Sequence, residues 1–143
     1  MHVRLKKPQG GFTLLELLIV IVIIGILALL ILPNITSAPK KARDTKRKTD
    51  MTAIQKGLEE YYVDNQSYPA ALSALTLGSA PILKTVPTDP KNVSPYTYGY
   101  TVANSNSTYT LTACLENNAD NGTDVIAPIS PCTTKTFELV NQN

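Results

Sequence analysis

Gly10-Gly11-Phe12-Thr13-Leu14-Leu15-Glu16 opens the stretch that decides the architecture, and Leu17 to Leu32 completes it without one polar side chain. A helix packed on a soluble core carries a polar stripe; this run has apolar residues on every face. As a helix rising about 1.5 Å per residue, residues 12–32 span about 31 Å, the thickness of a bilayer's hydrocarbon core. Arg4, Lys6 and Lys7 precede the run with no acid among them, as in an export leader. An ordinary leader is cut after its apolar stretch at a small-residue site. Here only Gly25 and Ala28 are small near that end, and Pro33-Asn34 follows. The exposed, flexible Gly10-Gly11 pair lies before the run instead. Residues 1–11 therefore read as a basic leader, and 12–32 as a retained transmembrane and assembly helix.

Glu16 does not suit a plain anchor. A carboxylate at that depth costs roughly 2.5–3.5 kcal/mol on insertion scales. One reading places it near the interface, where it snorkels. The other gives it a cationic partner, and cleavage after Gly11 creates one, the α-amino group of Phe12. Within one helix that pair has poor geometry. A neighbouring copy, shifted a few residues along the axis, brings its new N-terminus to Glu16 and fixes the stagger between subunits.

Gly11-Phe12-Thr13-Leu14-Leu15-Glu16 with its long apolar run resembles the prepilin cleavage and methylation motif of type IV pilins and type II secretion pseudopilins. The resemblance implies cleavage between Gly11 and Phe12 by a prepilin peptidase and N-methylation of Phe12. It also implies a role for Glu16 in recruitment and register, and a kink or melted turn at Pro33. Tyr61-Tyr62-Val63-Asp64-Asn65, Tyr68-Pro69 and Val86-Pro87-Thr88-Asp89-Pro90 are similar to segments of major pseudopilins, with Gln66 standing where a glycine is usual. The resemblance covers residues 8–64 well and the rest loosely.

The chain has 143 residues and a formal charge of +2. Without the three basic residues of the leader, ten basic side chains face 11 acidic ones, so the bulk is no polycation. Lys40, Lys41, Arg43, Lys46, Arg47 and Lys48 crowd just beyond the apolar run. By charge counting they would put the C-terminus inside the cell. The leader motif and the cysteines argue for a C-terminal head outside the inner or cytoplasmic membrane, and the motif is the stronger signal. The Lys40–Lys48 cluster suits lipid headgroups or acids of neighbouring subunits, and nucleic acid is a further candidate.

Beyond the apolar run, residues 33–64 read as an amphipathic stalk, with Ala42, Met51, Ile54, Leu58 and Tyr61/Tyr62 recurring at helical spacing. Pro33 is expected to kink it, and Pro39 to end one helix and begin another. Residues 65–143 read as a globular head. A short helix is expected over 70–77 with Leu72, Leu75 and Leu77 inward. Strands are expected over 96–103, 107–115 and 134–140, an antiparallel sheet with one buried face, Tyr109, Leu111 and Ala113 alternating against threonines in the second strand and Phe137 and Leu139 sharing one face of the third. The fold class is α+β: a long N-terminal helix packed on a small antiparallel sheet.

Cys114 and Cys132, about 18 positions apart in an exported head, read as a disulfide, stabilising by about 3 kcal/mol in the chain-entropy account. The run Glu116 to Asp124 is rich in oxygen ligands. Major pseudopilins bind calcium in such loops, so the resemblance makes Asp120 and Asp124 calcium candidates, although Asp/Asn/Gly runs are commonly plain turns. The sole histidine, His2, lies in the leader, and no nucleophile–base pattern or phosphate loop points to an enzyme. Two polymer functions stand: a subunit of a type IV pilus-like filament, or the major pseudopilin of a type II secretion or competence pseudopilus. A membrane-anchored, non-polymerising binding module is the third reading. The polymer readings imply a homo-oligomeric helical filament, an inner-membrane assembly platform and an ATP-driven motor as partners.

Overall fold

The computed structural model describes residues 11–141, with side chains left undescribed at 30–36; the leader residues 1–10 lie outside the described residues. The first element, α1, runs from Leu14 to Asn65. Residues 1–36 and 37–143 form two separate units. The interruption expected at Pro39 is not present, since helix is continuous through Pro33 and Pro39. A proline deletes one backbone donor, and the flanking turns carry the helix on.

In residues 1–36, the described apolar side chains from Leu14 to Leu29 are exposed all round, from Leu14 at 83% to Val20 at 47%. Among the described residues no helix is long and apolar enough to cross a membrane. The expected span ends at Leu32, so its last residues, 30–32, lie outside the described side chains.

In residues 37–143, α1 buries Met51, Ile54 and Leu58 in a stripe of three- and four-residue spacing. Ala42, expected on that stripe, is exposed. The helix stops at Gln66, which takes a left-handed conformation (φ 55°) and donates its backbone N–H to Tyr62 O at 2.8 Å. This is the cap that favours glycine. The Gln66 side chain donates to Val63 O at 3.1 Å.

The segment after the stalk is a 3₁₀ helix, Leu72–Thr76. Leu75 is buried and Leu72 half-buried, whereas Leu77 is exposed, contrary to expectation. With three residues per turn, positions 72 and 75 share a face and 77 leaves it.

Four antiparallel strands follow: β1 (Gly99–Ala103), β2 (Thr108–Leu115), β3 (Val125–Ile126) and β4 (Lys135–Val140), in spatial order β1-β2-β4-β3. The alternation in β2 is as read from the sequence, with Tyr109, Leu111 and Ala113 buried and Thr108, Thr110 and Thr112 half-buried. β1 begins at Gly99 rather than Tyr96, because Tyr96 folds back on Val93 in a tight turn (N to O, 2.6 Å). Gly99 suits the position, since a Cβ there would overlap Thr112 Oγ1 across the β1–β2 pair. The two-residue β3 was missed, as a strand that short leaves no alternation to read.

The hairpin tip Asn104-Ser105-Asn106 has three successive positive φ angles, 52°, 55° and 65°. Its Asn106 carbonyl accepts the Tyr68 N–H at 2.8 Å, tying the tip to the end of the stalk. Between helix and sheet, Tyr68 stacks on Tyr62 (4.7 Å) and meets Tyr109 edge-on (4.6 Å). Both the Tyr68 and Tyr109 hydroxyls donate to Glu59, at 3.0 and 2.8 Å.

Candidate functional site

Two places on α1 hold chemistry of interest, one in each unit. At the N-terminus, Thr13 and Glu16 form a reciprocal cap. The Thr13 backbone N–H and hydroxyl both donate to Glu16 Oε2, at 2.9 and 3.0 Å, while the Glu16 N–H donates to Thr13 Oγ1 at 3.2 Å. This is a capping box, Thr at the cap and Glu three residues on, and it satisfies two of the helix's orphan donors. Within the single chain, Glu16 is thus occupied by its own helix end. Its signal, Thr-x-x-Glu before an apolar run, stood in the sequence and was read only as a motif for assembly. Phe12 beside it is 87% exposed.

In the second unit, part of the basic cluster of the stalk turns inward. Arg47 is fully buried. Its guanidinium donates to Asp89 through Nε (2.6 Å) and Nη2 (3.0 Å), and through Nη1 to Asp44 (2.7 Å) and Glu116 (2.9 Å). Arg43 makes a two-pronged pair with Glu116, both contacts at 2.7 Å, and Lys91 reaches the same carboxylate at 2.9 Å. Tyr96 lies between two cations, with the Arg47 guanidinium 4.8 Å and the Lys91 ammonium 4.3 Å from its ring centre. Asp44 also accepts the backbone N–H groups of Glu116 (2.9 Å) and Asn117 (2.8 Å). Three cations and three carboxylates therefore share one seat, with each carboxylate oxygen accepting from at least one donor, which is the condition under which buried charge is tolerated.

The titration behaviour follows. Hydrogen bonding from Arg43, helped by Lys91 and Arg47, overrides burial and holds Glu116 far below the usual carboxylate range. Burial would raise Asp89, but the Arg47 hydrogen bond and the Lys91 N–H keep it low. Burial would lower Arg47, and its carboxylates outweigh that and raise it. Asp89 belongs to the Val86–Pro90 segment already noted as pseudopilin-like, and its role is now visible: it anchors the loop onto α1.

Much of the Lys40–Lys48 cluster, read from the sequence as a face for lipid, neighbours or nucleic acid, is engaged by carboxylates of its own chain. Arg43, Lys46, Arg47 and Lys48 are paired with Glu116, Asp50, Asp89 and Asp120 of the same chain. Lys40 and Lys41 are exposed without an ion pair among the described residues. The sequence offered a weak clue, since Asp44, Arg47, Met51, Ile54 and Leu58 share one helical face.

Cys114 and Cys132 are joined in a disulfide that closes β2 onto the loop before β4. Thr134 Oγ1 donates to the Leu115 carbonyl within the same loop. Of the calcium candidates, Asp120 pairs with Lys48 at 2.7 Å, and Asp124 has a left-handed φ of 61° with its carbonyl accepting the Glu138 N–H at 2.9 Å. Among the described residues no group of three or more His, Cys, Asp or Glu side chains is arranged to hold a metal ion.

A family model described as the prokaryotic N-terminal methylation motif matches residues 6–32. Directly after it, the model of type II secretion system (T2SS), protein G, matches residues 34–131, more than half of the chain. The chain belongs to the type II secretion protein G family. Similar proteins include the type II secretion system core protein G of Pseudomonas aeruginosa, 43% identical over 70 residues, 49% of either chain. That of Escherichia coli K12 is 43% identical over 81 residues, 56% of either chain. That of Klebsiella pneumoniae is 45% identical over 76 residues, 52% of this chain and 54% of that one. The chain spans about half the length of the curated relatives it matches. No solved structure matches. Among the two polymer readings of the sequence, these matches favour the secretion pseudopilin over the type IV pilus. Membership of protein G also places the chain in a family of structural pseudopilin subunits.

Proposed function

We propose that this chain is the major pseudopilin of a type II secretion system, a membrane-stored subunit that polymerises into a short helical filament on an inner-membrane platform. The observation that carries this reading is the continuity of the methylation motif at residues 6–32 with the protein G match at 34–131. A prepilin peptidase cuts between Gly11 and Phe12 and methylates the new amino group. The apolar side chains from Leu14 to Leu29, exposed on every face of the single chain, first meet lipid and then the same segment of other copies. Glu16 leaves its Thr13 cap and accepts the Phe12 amino group of a neighbour, neutralising two charges in an apolar bundle and fixing the register. The ATP-driven motor and platform are separate proteins. The head, outside the membrane, stands on the stalk through the Arg47 seat and faces other subunits and exported protein.

The test begins with the mature protein from membranes and filaments, by N-terminal sequencing and intact mass. An N-methylated Phe12, with the mass lowered by two hydrogens for the Cys114–Cys132 bridge, is the expected result. Glu16→Ala should then give normal levels of cleaved subunit and no filaments. A chain that still begins at Met1, or is cut near Ala28 to Asn34, sinks the reading.

A further inference from the structure

The resemblance leads one to expect calcium in the oxygen-rich loop between Glu116 and Asp124, and the side chains there do not fit it. Calcium takes about six to eight oxygens within reach of one point. Both oxygens of Asp120 are already engaged: Oδ2 by the Lys48 ammonium at 2.7 Å and Oδ1 by the Gly122 N–H at 3.0 Å. Asn117 Oδ1 accepts the Ala119 N–H at 3.2 Å, and Asn121 Oδ1 lies 3.4 Å from the Lys135 ammonium. The Asp124 carbonyl is taken up by the Glu138 N–H of β4. Lys48 is fixed from below as well, its ammonium 5.6 Å from the Phe137 ring centre. It extends so close under the loop that a Cβ at Gly122 would lie 3.4 Å from its nitrogen. A divalent ion placed here would meet two ammonium groups.

We propose that the Lys48 ammonium is the built-in cation of the Glu116–Asp124 loop, holding Asp120 and the loop turn to α1 in the place of a calcium ion, so that the head folds and keeps its stability without calcium. The hydrogen bond from Lys48 also holds the Asp120 carboxyl below its ordinary range, with the more distant Lys41 charge adding to it. The Cys114–Cys132 bridge closes the same loop covalently. This inference concerns the head alone and does not depend on filament assembly.

The test uses the full chain in detergent, followed by thermal unfolding in excess EDTA and in millimolar calcium chloride. The wild-type chain should melt at the same temperature in both. A metal bound specifically and present at about a hundredfold its dissociation constant would raise Tm by several degrees. Lys48→Met keeps the aliphatic stem over Phe137 and removes the charge. It should lower Tm, as should Asp120→Asn, and the double variant should lose little more than either single one. A calcium-dependent rise in the wild-type Tm, reversed by EDTA, would overturn the proposal. So would strictly additive losses in the double variant, which would mean that Lys48 and Asp120 do not act on each other.

Discussion

The two ends of α1 invert the usual distribution of polarity. From Leu14 to Leu29 the helix shows isoleucine, leucine and valine on every exposed face. From Asp44 to Asp50 the same helix buries charge: Asp44, Arg47 and Asp50 are each at most 3% exposed. Among the described residues the side chains of the first region stay exposed. The second is complete within one chain, because Asp89, Lys91 and Glu116 come from the head to meet it. The apolar segment is the one the proposed function assigns to assembly, and the charged segment inside a core is the joint between stalk and head.

Substitutions at the joint should have the largest effect. Arg47→Ala leaves Asp44, Asp89 and Glu116 without their shared cation and should lower unfolding free energy by about 3–5 kcal/mol in urea titrations. A loss below about 1 kcal/mol would show that the seat is dispensable and erase the contrast between the two regions. The same network gives an acid limit. Asp89 and Glu116 are depressed in the folded state, so their contribution is present above the unfolded carboxylate value of about 4. It is lost as pH falls from there through their folded values. The alkaline limit has the opposite sign. Burial, with Glu59 adding, pushes Tyr68 up to about 12, and burial pushes Tyr100 to about 12. Their contribution holds below the unfolded tyrosine value of about 10 and is lost as pH rises through about 12. Unfolding free energy measured between pH 2 and 12 should therefore fall at both ends.

Paired truncations sharpen the comparison. Leu58→Ala, in the buried stripe, should cost about 2–5 kcal/mol of head stability. Leu18→Ala, on the exposed apolar segment, should change it by less than about 0.5 kcal/mol while weakening assembly. Equal effects on the head would contradict the division of α1. Gly99→Ala pushes a methyl group into Thr112 Oγ1 and should cost about 1–3 kcal/mol, recovered in part by adding Thr112→Ala. The smallest effect expected is a gain. Gln66→Gly relieves a left-handed cap and should stabilise the chain by about 0.5–1 kcal/mol, seen as a small rise in Tm.

Much of the architecture was legible because it rests on local periodicity. The apolar run, the Met51–Ile54–Leu58 stripe and the Tyr109–Leu111–Ala113 alternation are patterns of one element, and each lies where those patterns place it. The disulfide was legible from cysteine count and context alone. The misses have physical causes as well. Pro39 ending the helix and Leu77 facing inward are local readings of places where neighbouring turns decide the outcome, and the two-residue β3 carries no pattern to read.

By itself, then, the sequence determined the long helix, the apolar segment with its single acid, the kind of sheet and the cysteine pair, because hydrophobic period and residue type act over a few positions. Only the tertiary structure decided what the basic cluster does. Arg47 meets Asp89 and Glu116 across 42 and 69 positions of chain, and Lys48 meets Asp120 across 72. A charge shows no period that marks it as buried; it can leave water only where distant carboxylates arrive together, and that convergence exists only once the head has folded onto the helix.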